Sequence, residues 1–188
     1  MDVALWTGDG AARSITGLAF SPDLVWIKGR SSGPPTIQHV LQDTVRGSNN
    51  MLCSNDTGSE SAFGQPPVWG YISAFNSDGF TLASGSGGFS QVNQSSNTYV
   101  GWAWDAGTST VSNTQGSITS QVRANATAGF SVVTFTGNGS TSATVGHGLG
   151  VAPRLIIENL GQFLLMGLGG CIMPTWGQGL SRLTALML

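Results

Sequence analysis

The chain has 188 residues, enough for one ordinary domain or two small ones with a buried core. Charged residues make up only 9% of it, against about 25% in an average globular protein, and 28 residues are glycine, a profile of short strands and tight turns and not of helices. A formal net charge of -2 with seven Lys+Arg excludes the basic stripe of a phosphate-tracking groove, so no nucleic-acid partner is expected.

The first ten residues, MDVALWTGDG, lack a basic segment followed by an apolar run, so no secretory signal is expected. Thr7–Gly10 (TGDG) holds an Asp-Gly pair of the kind favoured in tight hairpins. Leu24–Lys28 (LVWIK) reads as a strand with Trp26 in the core, and Gln38–Gly47 (QHVLQDTVRG) contains a further strand bearing His39 and Asp43. In QPPVWGYIS a Pro-Pro loop precedes Trp69 and Tyr71, the two weak candidates for ligand contact, since sugars stack on exposed aromatic rings. Tyr71–Phe75 and Phe80–Ala83 read as strands.

TYVGWAWDAG alternates most clearly, and Val100, Trp102 and Trp104 are expected to face the core together. Ala106–Gly116 (AGTSTVSNTQG) is polar enough to be a linker. Ile118–Ala124, Phe130–Thr136 and Leu155–Glu158 follow as strands, with a second turn, TGNG, at Thr136–Gly139. No stretch before residue 160 carries a helical apolar stripe.

The chain repeats itself. Leu5–Ile27 aligns with Thr134–Glu158: Gly8 with Gly137, then, after a two-residue insertion, Gly17-Leu18 with Gly148-Leu149, Pro22 with Pro153 and Leu24-Val25-Trp26 with Leu155-Ile156-Ile157. The matched positions read as fold determinants, each proline starting an extended run.

The stretches SITGLAFSPDLVWIKGRS, TVRGSNNML, AFNSDGFTL, TYVGWAWDAG, NTQGSITSQVRANATAGFSVVTFTGNGS and TVGHGLGVAPRLII resemble a family of uncharacterised β-rich domains in tailed-bacteriophage virion proteins. The resemblance runs from Ala4 to about Asn159 and implies a phage particle, with no activity or functional residues to carry over.

Beyond Asn159 the only charged residue is Arg182. The second unit lacks a visible counterpart of HVLQDTVRG, and the genetic code permits one: codons for Met166–Gly177 begun at their third base can encode GAWRLYHADVG. The tail is therefore expected to be an out-of-frame product, with a buried native terminus, an oligomer contact and a membrane-active segment as the other readings. Glycines and Pro174 interrupt every window that a spanning helix would need, so no membrane partner is expected.

Chemistry is sparse. Cys53 and Cys171 read as thiols outside any disulfide or metal site, and His147 in VGHGLG reads as a turn residue. Asp9 and Asp78 each precede a turn glycine, and no G-x-S-x-G, HExxH or phosphate-binding loop occurs. No catalytic residue, metal or cofactor is expected.

The expectation is an all-β fold, an antiparallel β-sandwich or jelly-roll-like unit over 1–105, a linker over 106–116, the start of a truncated second copy over 117–159 and the apolar tail over 160–188. Its expected role is a non-enzymatic virion component, in a tail fibre or surface appendage, assembled in the host cytoplasm and involved in host attachment. A capsid-decorating protein and a carbohydrate-binding module are the alternatives. Expected partners are other virion proteins, a host-surface glycan and further copies of the chain, a trimer being one arrangement suited to a fibre.

Overall fold

The computed structural model describes residues 1–31, 37–48, 50–56, 58, 60, 66–87, 89–159, 164–168 and 183–187. The fold is all-β apart from one helical turn, and it divides into two compact units, Met1–Asp105 and Ala106–Leu188.

In the first unit the elements are β1 Asp2–Thr7, β2 Arg13–Thr16, β3 Leu24–Gly29, β4 Val40–Asp43, β5 Leu52–Cys53, the helical turn α1 Pro66–Trp69, β6 Tyr71–Asn76, β7 Gly79–Ala83 and β8 Thr98–Trp104. Five strands form one antiparallel sheet in the order β1-β8-β3-β4-β5, and three form a second in the order β2-β7-β6. Between them lies the core: Trp6, Val25, Ile27, Val40, Tyr99 and Ala103 from the larger sheet meet Ile15, Ile72, Phe80 and Leu82 from the smaller. This is the two-layer antiparallel sandwich expected from the alternation.

Trp6 and Tyr99 are cross-strand partners with rings stacked 5.4 Å apart, and Trp6 also meets Phe80 edge-on at 5.9 Å across the layers. Gly101 makes room for this cluster, because a Cβ there would lie 3.1 Å from the Trp6 ring. Gln42 joins the layers by hydrogen bonds. Its Oε1 accepts the Ile72 N–H at 2.6 Å and its Nε2 donates to the Ile72 carbonyl at 3.3 Å, so a side-chain amide stands in for a strand on the β6 edge.

Three expectations are corrected here. Val100, Trp102 and Trp104 do not face the core; Tyr99, Gly101 and Ala103 do, while Trp26, paired with Trp102, also lies on the far face. The apolar residues on both faces of β8 left the alternation without a polar side to mark the outside. TGDG is not a hairpin between paired strands, since β1 pairs with β8 and β2 with β7, and the turn carries the chain from one sheet to the other. The third concerns Ala106–Gly116, which holds a strand.

That strand opens the second unit: β9 Thr110–Asn113, β10 Ser120–Asn125, β11 Phe130–Phe135, β12 Leu155–Asn159, β13 Leu164–Leu168 and β14 Leu183–Met187. β9 pairs with β10 although Thr110, Val111 and Ser112 are all exposed, because backbone ladder bonds hold it and no apolar face is required. The sheet order is β13-β12-β14-β11-β10-β9. Ile118, Val122, Val133, Phe135, Ala143 and Leu149 form its core.

The internal repeat recurs in the order of four strands, although β2 has no counterpart among the described residues of the second unit. In the first unit β8 lies between β1 and β3, with β4 beyond; in the second β14 lies between β11 and β12, with β13 beyond. The register agrees as well. Trp102 faces Val3 on one side and Trp26 on the other, and Leu186 faces Val132 and Ile157, their sequence counterparts. Trp26 pairs onward with Leu41, and Ile157 with Met166. Local geometry repeats too: Gly10 and Gly139 share positive φ values of 78° and 75°, as do Gly17 and Gly148 at 95° and 74°. Asp9 accepts the Ala11 N–H at 3.0 Å and Asn138 the Ser140 N–H at 3.0 Å, the same side-chain turn in each copy. Leu18 and Leu149 are both buried.

Of the tail, Leu164–Leu168 and Leu183–Met187 take these strand positions; residues 160–163, 169–182 and 188, with Cys171 and most of the shifted-frame segment, lie outside the described residues.

Candidate functional site

The two aromatic residues singled out from sequence stand on either side of Gly70, which has a φ of 73°. Trp69 ends α1 and Tyr71 opens β6, and both are half-buried. The Trp69 ring packs edge-on against Phe89 at 6.0 Å, and its carbonyl accepts the Gln91 N–H at 2.7 Å. Its indole Nε1 is buried with no acceptor among the described residues. Trp69 thus holds Phe89 and Gln91 beside the helical turn.

Asp9 belongs to a latch. Asn93, fully buried, donates from Nδ2 to Asp9 Oδ1 and to the Ala11 carbonyl, each at 2.7 Å. The Gly8 N–H donates to Asn97 and the Gly10 N–H to Asn93. The Ala11 N–H and then the Asn93 amide hold the Asp9 carboxyl below its ordinary range. A carboxylate so occupied fixes a turn and is a poor proton acceptor.

Asp43 and Arg46 form a buried pair, Arg46 Nε to Asp43 Oδ2 at 2.6 Å. Asp43 Oδ1 accepts the N–H groups of Val45 and Arg46, and the guanidinium also donates to the carbonyls of Leu41 and Asn50 and to Glu60 at 3.3 Å. This network ties the 44–60 segment to β4.

His147 accepts the Leu149 N–H on Nδ1 at 3.2 Å, the turn role expected of it. His39 is half-buried, and burial, then the charge of Lys28, lowers its pKa. Burial, then Asp56, pushes the Cys53 thiol up to about 12, which keeps it protonated and unreactive near neutrality. Among the described residues no three of His, Cys, Asp and Glu come together as a metal site, and no helix is long and apolar enough to cross a membrane.

Among the described residues a few large apolar side chains are exposed. On the face of the five-stranded sheet away from the core, Val3 is 44% exposed and Leu5 64% exposed. Val3 pairs with Trp102 and Leu5 with Val100, while Trp26 and Trp102 meet edge-on at 5.9 Å. β1 is also the end strand of its sheet. An exposed end strand with apolar side chains is a place for another strand to pair. Sequence reasoning passed over it, because DVALWT has no polar alternation to mark a face; the repeat was the signal that could have found it, since Val3 and Leu5 match Val132 and Thr134.

No curated protein and no solved structure matches the chain. The family model of a domain of unknown function, DUF7483, matches residues 1–162, and with most of its length covered the chain belongs to that family.

Proposed function

We propose that this protein is a non-enzymatic structural component of a bacteriophage virion, part of a tail fibre or other surface appendage that contributes to host attachment. The observation that supports the reading best is the internal repeat, in which the order and register of four strands recur. Repeated β units, each held by backbone ladders, suit a scaffold that presents loops. The low charge and the phage-virion resemblance of Ala4–Asn159 agree with it. Its partners are other virion proteins and further copies of this chain, which cover apolar surface that a lone copy leaves in water.

Mass spectrometry of gradient-purified particles tests the reading. Peptides from residues 1–159 are expected at a copy number comparable to that of other appendage proteins, with antibody labelling on the tail. Their absence from the particle overturns the proposal, and labelling over the capsid shell replaces it with a decorating role.

A further inference from the structure

The β1 edge has a counterpart in the second unit, and there the edge carries a strand. β11, the repeat partner of β1, pairs with β14 on one side and with β10 on the other. β1 pairs with β8 on the side equivalent to β14, and on the side equivalent to β10 no strand lies among the described residues. The side chains differ accordingly: Val132, opposite Arg123 of β10, is fully buried, whereas its match Val3 is 44% exposed. The repeat therefore contains a worked case of what this edge accepts, an antiparallel strand in register.

Backbone polarity points the same way. In an antiparallel ladder alternate residues direct both N–H and C=O to one side. The Val3 N–H donates to Asp2 Oδ1 at 2.8 Å and the Thr7 carbonyl accepts from Arg13 at 3.1 Å, so the odd residues of β1 face away from β8. Asp2 and Arg13 occupy the two ends of the edge. The Val3 carbonyl and both backbone groups of Leu5 lie between them.

We infer that β1 pairs antiparallel with β1 of a second copy, about a two-fold axis through Ala4. In that register Val3 opposes the partner's Leu5 and Leu5 the partner's Val3, so the exposed apolar residues cover each other and the two five-stranded sheets become continuous. In that register Asp2 opposes the partner's Trp6 and not the partner's Asp2. Its one charged side chain is Asp2, whose carboxylate accepts the N–H groups of Val3 and Ala19, so the two Asp2 carboxylates are not brought face to face. Another end strand, β9, fits less well: it is four residues long, and of its exposed side chains only Val111 is apolar. The inference rests on the homo-oligomer part of the proposed function.

The experiment is light scattering of the full chain after size exclusion, with Val3→Lys and Leu5→Lys as edge variants and Val151→Lys as an exposed control. Wild type and the control are expected at twice the 19.4 kDa chain mass. Both edge variants are expected at the single-chain mass with unchanged circular dichroism, since neither residue is buried. Leu5→Pro is a second probe, because proline is tolerated where an edge N–H points to solvent, and it too should be monomeric. A dimer that survives both lysine variants, or a trimer, overturns the β1 pairing and leaves the homo-oligomer reading standing. A monomeric wild type overturns both.

Discussion

At the scale of single residues, the polar groups of this protein are committed to structure. Asp43 and Arg46 are the clearest case: both side chains are almost completely shielded, and each satisfies several backbone groups besides its partner. Removing one charge strands the other, which costs about 3–5 kcal/mol for a buried pair. Asp43→Ala is therefore expected to lower the urea midpoint by the equivalent of that amount, or to prevent folding. His39 gives a prediction in pH. Its folded pKa lies below the unfolded value of 6.5, so the unfolded chain binds the proton more readily. The contribution is fully present above that unfolded value and is lost as pH falls through the folded one. His39→Gln should remove that part of the decline in urea midpoint seen between about pH 7.5 and about pH 5.5. Denaturation curves of both proteins at the two pH values check it.

At the scale of elements, the two sheets of the first unit are held by an apolar core and by one amide. Gln42 on β4 supplies both an acceptor and a donor to Ile72 on β6, at a place where the smaller sheet has run out of strands. Gln42→Leu keeps the volume roughly constant but leaves the Ile72 N–H and C=O buried and unpaired, at about 1–3 kcal/mol for each group. The expected result is a lower melting temperature together with faster hydrogen exchange at the Ile72 amide, while β1 and β8 amides keep their protection. A uniform loss of protection across the unit would mean that the amide bridge is not local to β6. The contrast between β9 and β8 belongs to this scale as well. β9 is a strand because β10 offers it a ladder, and nothing in its own side chains demands the conformation.

At the scale of the whole molecule, the second unit depends on chain far from its start. β14 separates β11 from β12, which therefore make no ladder with each other, so a chain ended before residue 183 leaves both strands with an open edge. Such a truncation is expected to lose hydrogen-exchange protection in β10, β11 and β12 and to keep it in β3 and β8. The intact mass of the protein from its native source bears on the same stretch. A mass of 19.4 kDa makes Leu164–Leu168 and Leu183–Met187 the native occupants of the β4-like and β8-like positions. A chain whose peptides differ from this sequence after residue 159 makes the tail an out-of-frame product, with a different sequence in those two positions.

The sequence by itself determined the class of fold, most of the strands and the repeat, because alternation, turn glycines and the matched Gly-Leu and x-Pro positions are local signals that survive without tertiary context. TGDG with TGNG and Gly17 with Gly148 were legible in this way, and their backbone geometry agrees pair by pair. Tertiary structure decided which face is the inside. β8 is apolar on both sides, so only packing against Phe80 and Trp6 assigns Tyr99 and Ala103 to the core and turns Trp102 and Trp104 away from it. It also decided that β9 is a strand, that Trp69 packs on Phe89, and that β1 ends its sheet while β11 does not. Each of these depends on which strand lies alongside which. Strand neighbours are contacts between residues far apart in the chain, and local pattern does not encode them.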